Sequence, residues 1–152
     1  MRVFLFYFLL VLACLTAKAQ TNNPKYDSLL ARRLNSDDFG MKKYTLVLLK
    51  TGPYEEKDAK RRDSLFRGHM ANIEKLVDEG RLSVAGPFMK NELTYRGLFI
   101  LNTASLEEAK TWLQPDPTIA IGIFEPIFLT WYGSAALPEY LDEADKIWKS
   151  KP

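Results

Sequence analysis

The sequence predicts an α+β domain of order β-α-β-β-α-β, the ferredoxin-like arrangement, with an added C-terminal helix. Three observations predict it. Four short apolar stretches rich in Val, Ile, Leu, Phe and Tyr are bounded by Gly, Pro or charged turns, as strands are. Two other stretches carry apolar residues at helical spacing, as a helix with one buried face does. Their order along the chain lays two helices on one face of a four-stranded antiparallel sheet.

The first 19 residues stand apart from this domain. Met1-Arg2 supplies a positive start, Val3–Leu15 an unbroken apolar run, and Ala17-Lys18-Ala19 small residues where a signal peptidase reads them. The run falls short of the roughly 20 apolar residues of a membrane-spanning helix. A second reading takes Val11-Leu12-Ala13-Cys14 as a lipoprotein box, with a lipid anchor at Cys14. The expected organisation is a signal peptide over 1–19, an N-terminal extension over 20–41, the domain over 42–137 and a helical tail over 138–152. Cleavage near Ala19 would place the protein outside the cytoplasm, secreted or periplasmic in a bacterial cell envelope.

The leader takes Arg2 and Lys18 with it, so the mature chain carries 19 basic and 19 acidic residues. That neutrality gives no reason to expect nucleic acid or an integral membrane association. The one cysteine is Cys14, so the mature protein has no disulfide and is held by its core alone. One histidine and no mature cysteine exclude a zinc site of the usual His/Cys kind. There is neither a Gly-rich phosphate loop nor a Gly-x-Ser-x-Gly elbow. No cofactor is expected.

Within 20–41, Tyr26, Leu29, Leu30 and Leu34 fall at helical spacing, and Ser36–Gly40 breaks the run. Tyr44–Leu49 reads as a strand of buried type, ended by Thr51-Gly52-Pro53. Tyr54–Arg62 is charged and reads as a solvated loop. Asp63-Ser64 is suited to cap a helix reaching about Glu79, whose stripe is Leu65, Phe66, Met70, Ile73, Leu76 and Val77. Gly80 ends it. Leu82–Phe88 and Gly97–Leu101 form a hairpin about Lys90–Thr94. Thr103-Ala104-Ser105 followed by Glu107-Glu108 starts the second helix, and Pro115 stops it. Asp116-Pro117 starts another helical turn. Ile123–Trp131 is the fourth strand, and Pro126 within it assigns it to an edge or a bulge. Tyr140, Leu141, Ala144, Ile147 and Trp148 give the tail an apolar face. The sheet surface away from the helices, with residues such as Leu49 or Phe99 on one parity, would be exposed apolar surface that pairing in a homodimer covers.

Several segments resemble the YciI-like, or YCII-related, family: Tyr44–Pro53; His69 with Asp78-Glu79-Gly80-Arg81-Leu82; Ala85-Gly86-Pro87-Phe88; Arg96-Gly97; Glu107-Glu108-Ala109; Asp116-Pro117; and Trp131–Leu137. The resemblance covers about Lys42 to Leu137. It implies ferredoxin-like protomers of the dimeric α+β barrel type and a site built on a His-Asp pair, here His69 and Asp116. One relative in the family is a dehydrochlorinase acting on a chlorinated hydroxyquinol.

An imidazole gives and takes protons near neutral pH, and a carboxylate on one ring nitrogen fixes its tautomer. Asp78 stands nine residues beyond His69 on the same helix, about 13 Å by helical rise, too far for contact. Asp116, the partner that the resemblance implies, is also placed to cap the helical turn that Pro117 starts. The remaining candidate ligand contacts are Gly86, Pro87 and Phe88 as a wall, Arg96 for an anion, and Trp131, Tyr132 and Ser134 as an aromatic pocket with a hydroxyl. The expected function is a cofactor-free enzyme using the pair as general acid/base on a small molecule, lyase-like (as in dehydrochlorination) or isomerase-like. The alternative is a non-catalytic, dimeric ligand-binding or accessory domain of the cell envelope.

Overall fold

The computed structural model describes residues 23–147 and 149, so the leader, its cleavage site, Cys14 and Trp148 lie outside the described residues. A short helix α1 (Ser28–Arg33) precedes the sheet, followed by strand β1 (Met41–Thr51), helix α2 (Ala59–Asp78), and strands β2 (Leu82–Pro87) and β3 (Tyr95–Leu101). Helix α3 (Leu106–Leu113), the single turn α4 (Pro117–Ala120) and strand β4 (Phe124–Ser134) come next. A 3₁₀ turn at Leu137–Tyr140 and helix α5 (Leu141–Ile147) close the described chain.

The four strands form one antiparallel sheet in the order β2-β3-β1-β4, which with α2 and α3 is the ferredoxin-like fold. β4 is an edge strand, so Pro126, paired with Leu49, turns its missing N–H away from the ladder at no cost in hydrogen bonds. The helices cover the face that carries Val47 and Leu49 of β1 and Phe99 and Leu101 of β3. These side chains pack with Leu76, Leu82, Ala109 and Leu113 into the core. Each fully buried Leu or Phe there contributes about 1.5–3 kcal/mol by leaving water.

Leu49 and Phe99 are therefore core residues, each 2% exposed, and not the open surface expected of them. The open face belongs to the opposite parity: Leu46 and Leu48 of β1, Leu98 of β3, and Ile127 and Leu129 of β4. Four of these are half-buried and Leu129 is exposed. On the same face Tyr44 is buried, and its hydroxyl donates to the Ser134 carbonyl at 2.8 Å. The Trp131 ring stacks at a tilt on Tyr44, 5.6 Å between centroids. It lies across Gly133, where a Cβ would stand 2.1 Å from the indole.

α2 starts one turn earlier than the stripe suggests. Asp58 is its N-cap and accepts from the Arg61 N–H at 2.7 Å. The segment 59–62 is thus the exposed first turn of a helix, not a loop. The added C-terminal helix is present as α5, preceded by the 3₁₀ turn, which packs against β2; Ile147 on α5 is 82% exposed. Among the described residues no helix is long and apolar enough to cross a membrane.

Candidate active site

His69 sits near the middle of α2 on the side turned to the sheet and is 8% exposed. Asp116 is the N-cap of α4 and is fully buried. The two meet because α2 and α4 pack directly on each other and because the residue before His69 is glycine. A Cβ on Gly68 would lie 2.6 Å from Cγ of Pro117, so any side chain there would hold the helices apart. Nδ1 of His69 then stands 2.6 Å from Oδ2 of Asp116.

The hydrogen bonds around the carboxylate fix its protons. Oδ1 accepts from the Thr118 backbone N–H at 2.9 Å and from the Thr118 hydroxyl at 2.6 Å. A carboxylate only accepts, so Nδ1 carries the proton in the bond to Oδ2. The Thr118 hydroxyl spends its one hydrogen on Asp116 and turns a lone pair to Nδ1–H, 3.2 Å away. Burial pushes the Asp116 carboxyl up. The hydrogen bonds from His69 and Thr118 and the charge of His69 outweigh it, and the net shift is downward. Asp116 is thus an ionised, fully satisfied carboxylate.

With Nδ1–H committed, the lone pair of a neutral ring is on Nε2. The His69 side chain keeps 10% of its surface open. Three phenyl rings surround the imidazole: Phe124 at 5.5 Å, Phe99 at 6.0 Å and Phe66 at 6.2 Å between centroids. Their low polarity strengthens the bond to Asp116.

The other candidate residues stand elsewhere, and no hydrogen bond, ion pair or ring contact among the described residues joins them to the pair. Gly86 and Pro87 end β2 and are exposed. Phe88 is exposed beside Tyr95, 6.3 Å between rings. Arg96 donates from Nε to the Thr51 hydroxyl at 2.6 Å. Trp131 lies on the sheet face away from the helices. Tyr132 donates its hydroxyl to Asp37, and the Ser134 hydroxyl accepts from the Ala136 N–H at 3.3 Å. Asp78 ends α2, exposed, as the helical distance requires. A cavity of about 530 Å³ lined by Asp37, Lys43, Thr103 and Tyr132, among others, lies at the start of β1 and includes neither His69 nor Asp116. Among the described residues no cluster of His, Cys, Asp and Glu is arranged to hold a metal ion.

Sequence reasoning did not assign Thr118 or the three phenylalanines to the site. Thr118 had a signal: two residues after an aspartate that caps a helix, its N–H and hydroxyl both reach back to the carboxylate. The phenylalanines come from α2, β3 and β4, and local patterning does not converge them.

Residues 44–129 match the YCII-related domain family. Protein YciI of Escherichia coli O6:H1 is 34% identical over 74 residues, which span 44% of this chain and 76% of that protein. Protein YciI of Shigella flexneri shows the same identity and coverage. Among solved structures, the 5-chloro-2-hydroxyhydroquinone dehydrochlorinase TftG of Burkholderia phenoliruptrix AC1100, in complex with 2,5-dihydroxybenzoquinone, is 21% identical with a TM-score of 0.45. It is matched over 58% of this chain and 92% of its own. The family match runs over more than half of the sequence, and the YciI proteins are matched over most of their length: the chain belongs to the YCII-related domain family.

Proposed function

We propose that the protein is a cofactor-free enzyme in which His69, oriented by Asp116, is the general acid/base acting on a small molecule, in a lyase-like or isomerase-like reaction. One observation carries this reading: the 2.6 Å bond between Nδ1 and Oδ2, which holds one tautomer and reserves Nε2 for a substrate proton. A base so positioned contributes about 10²–10⁴-fold to a rate. Asp116 stabilises the imidazolium formed when Nε2 takes the proton, and Thr118 holds the carboxylate in place from its other oxygen. We place the reaction outside the cytoplasm and in a homodimer, on the strength of the leader and of the open apolar sheet face.

The same network also braces α4 against α2, which supports the rival reading of a non-catalytic ligand-binding domain. A substrate screen of the wild type against His69→Ala separates the two. Catalysis by the histidine requires that turnover of any substrate found in the wild type falls by about 10²-fold or more in the variant. Equal turnover in both removes His69 from the mechanism.

A further inference from the structure

Asn72 follows His69 by three residues on α2, is 9% exposed, and its Nδ2 is a buried polar atom with no hydrogen-bond partner. Buried amides are rarely left so. The apolar positions facing the sheet from α2, Ile73 and Leu76 among them, show what a purely structural residue would be there. Residues three apart on a helix are neighbours, about 5–6 Å between Cβ atoms. Helical side chains lean toward the N-terminus and cover the preceding turn. The Asn72 side chain therefore leans toward the turn that bears His69.

We propose that Asn72 directs the substrate of the His69 site, a small molecule with an enolisable carbonyl group. This rests on His69 acting as the base. Nδ2–H of Asn72 donates to the carbonyl oxygen, and the C–H to be broken lies on the adjacent carbon, within reach of Nε2 of His69. That C–H bond breaks and its proton joins Nε2 through the nitrogen lone pair. The C–H electron pair becomes the new carbon–carbon π bond, and the carbonyl π pair moves onto oxygen to give an enolate. The free amide hydrogen meets the charge where it develops, in a site walled by phenyl rings, where such a donor is most effective. Elimination of a leaving group, or return of the proton to a different carbon, completes a lyase or an isomerase cycle from that enolate.

The probe is 4-nitrophenolate, whose oxygen carries charge as an enolate oxygen does, titrated into the intact ¹⁵N-labelled protein. The side-chain amide resonance of Asn72 is expected to shift on binding. Asn72→Leu is expected to bind about tenfold or more weakly, as loss of a hydrogen bond to a charged oxygen implies, while its unfolding temperature holds or rises because a buried orphan donor is gone. A purely structural role predicts neither result. An unmoved Asn72 resonance in the wild type, absence of binding at millimolar probe, or equal binding by Asn72→Leu overturns the proposal. The fate of the base is read separately. If His69→Gln still binds the probe through Asn72 while His69→Ala keeps full turnover of a screened substrate, the base reading fails and the Asn72 donor stands.

Discussion

Asp116 has two jobs with different pH signatures. As an N-cap it needs only an acceptor for the Thr118 N–H, which asparagine also supplies. As the partner of His69 it needs a second acceptor oxygen, and asparagine presents an N–H there instead. Asp116→Asn therefore keeps the cap and sets two donors against each other, which drives the ring proton from Nδ1 to Nε2 and removes the base. We expect turnover to fall with the loss of that lone pair, and stability to fall by about 1 kcal/mol, the difference between a hydrogen bond to a charged group and one between neutral groups. The carboxyl is held below its ordinary range in the folded protein, so its contribution is complete above the unfolded value of about 3.9 and is lost as pH falls through the folded one. Urea denaturation at a series of pH values should show the gap between wild type and Asp116→Asn narrowing as pH falls below about 4. A gap that does not change with pH would mean that the carboxylate charge plays no part in holding the pair.

At the scale of elements, the site is a matter of how closely α4 approaches α2. Gly68→Ala tests that approach through two opposed effects. Alanine favours a helix interior by about 1 kcal/mol over glycine. Its Cβ would fall 2.6 Å from a proline ring carbon, and forcing an extra carbon into a packed contact costs about 1–3 kcal/mol. The Pro117 ring has no rotamer to give way, so we expect the clash to prevail: lower thermal stability, a longer His69–Asp116 bond and reduced activity together. A variant more stable than the wild type by the full helix-propensity gain would show that the helices part freely. The element order, the placing of the Pro126 strand at an edge or a bulge, the stop at Gly80 and the cap at Asp116 were all legible, because each depends on a residue and its immediate neighbours. The start of α2 was not, since Lys60, Arg61 and Arg62 are exposed and an exposed first turn leaves no apolar stripe to read. The meeting of His69 with Asp116 was legible only from the family resemblance. Spacing alone excluded Asp78 and left Asp116 a capping residue, because the contact crosses 47 positions of sequence.

At the scale of the molecule, the parity of the sheet decides which surface is left for a partner. Leu46-Val47-Leu48-Leu49 is apolar on both sides of the strand, so alternation does not show which side meets the helices. The register resolves it: Val47 and Leu49 go to the core, and Leu46 and Leu48 join Leu98, Ile127 and Leu129 on the open face. A contiguous apolar face in the middle of a sheet, with β1 running through it, is the surface a second copy would cover, since two equal faces related by a two-fold axis are complementary to each other. Stable dimers bury about 800 Å² per partner, and a carboxylate carried into the centre of such a contact would be desolvated without a counter-charge. We therefore expect the wild type to run at twice the chain mass in light scattering after size exclusion, and Leu48→Asp or Leu129→Asp to shift it to the monomer. Circular dichroism should stay native in both variants, because neither side chain belongs to the helix-covered core. A wild type that remains monomeric at micromolar concentration would leave the open face to some other occupant and sink the dimer. If instead the Asp variants dissociate and lose activity with the His69–Asp116 bond intact, the partner subunit completes the site.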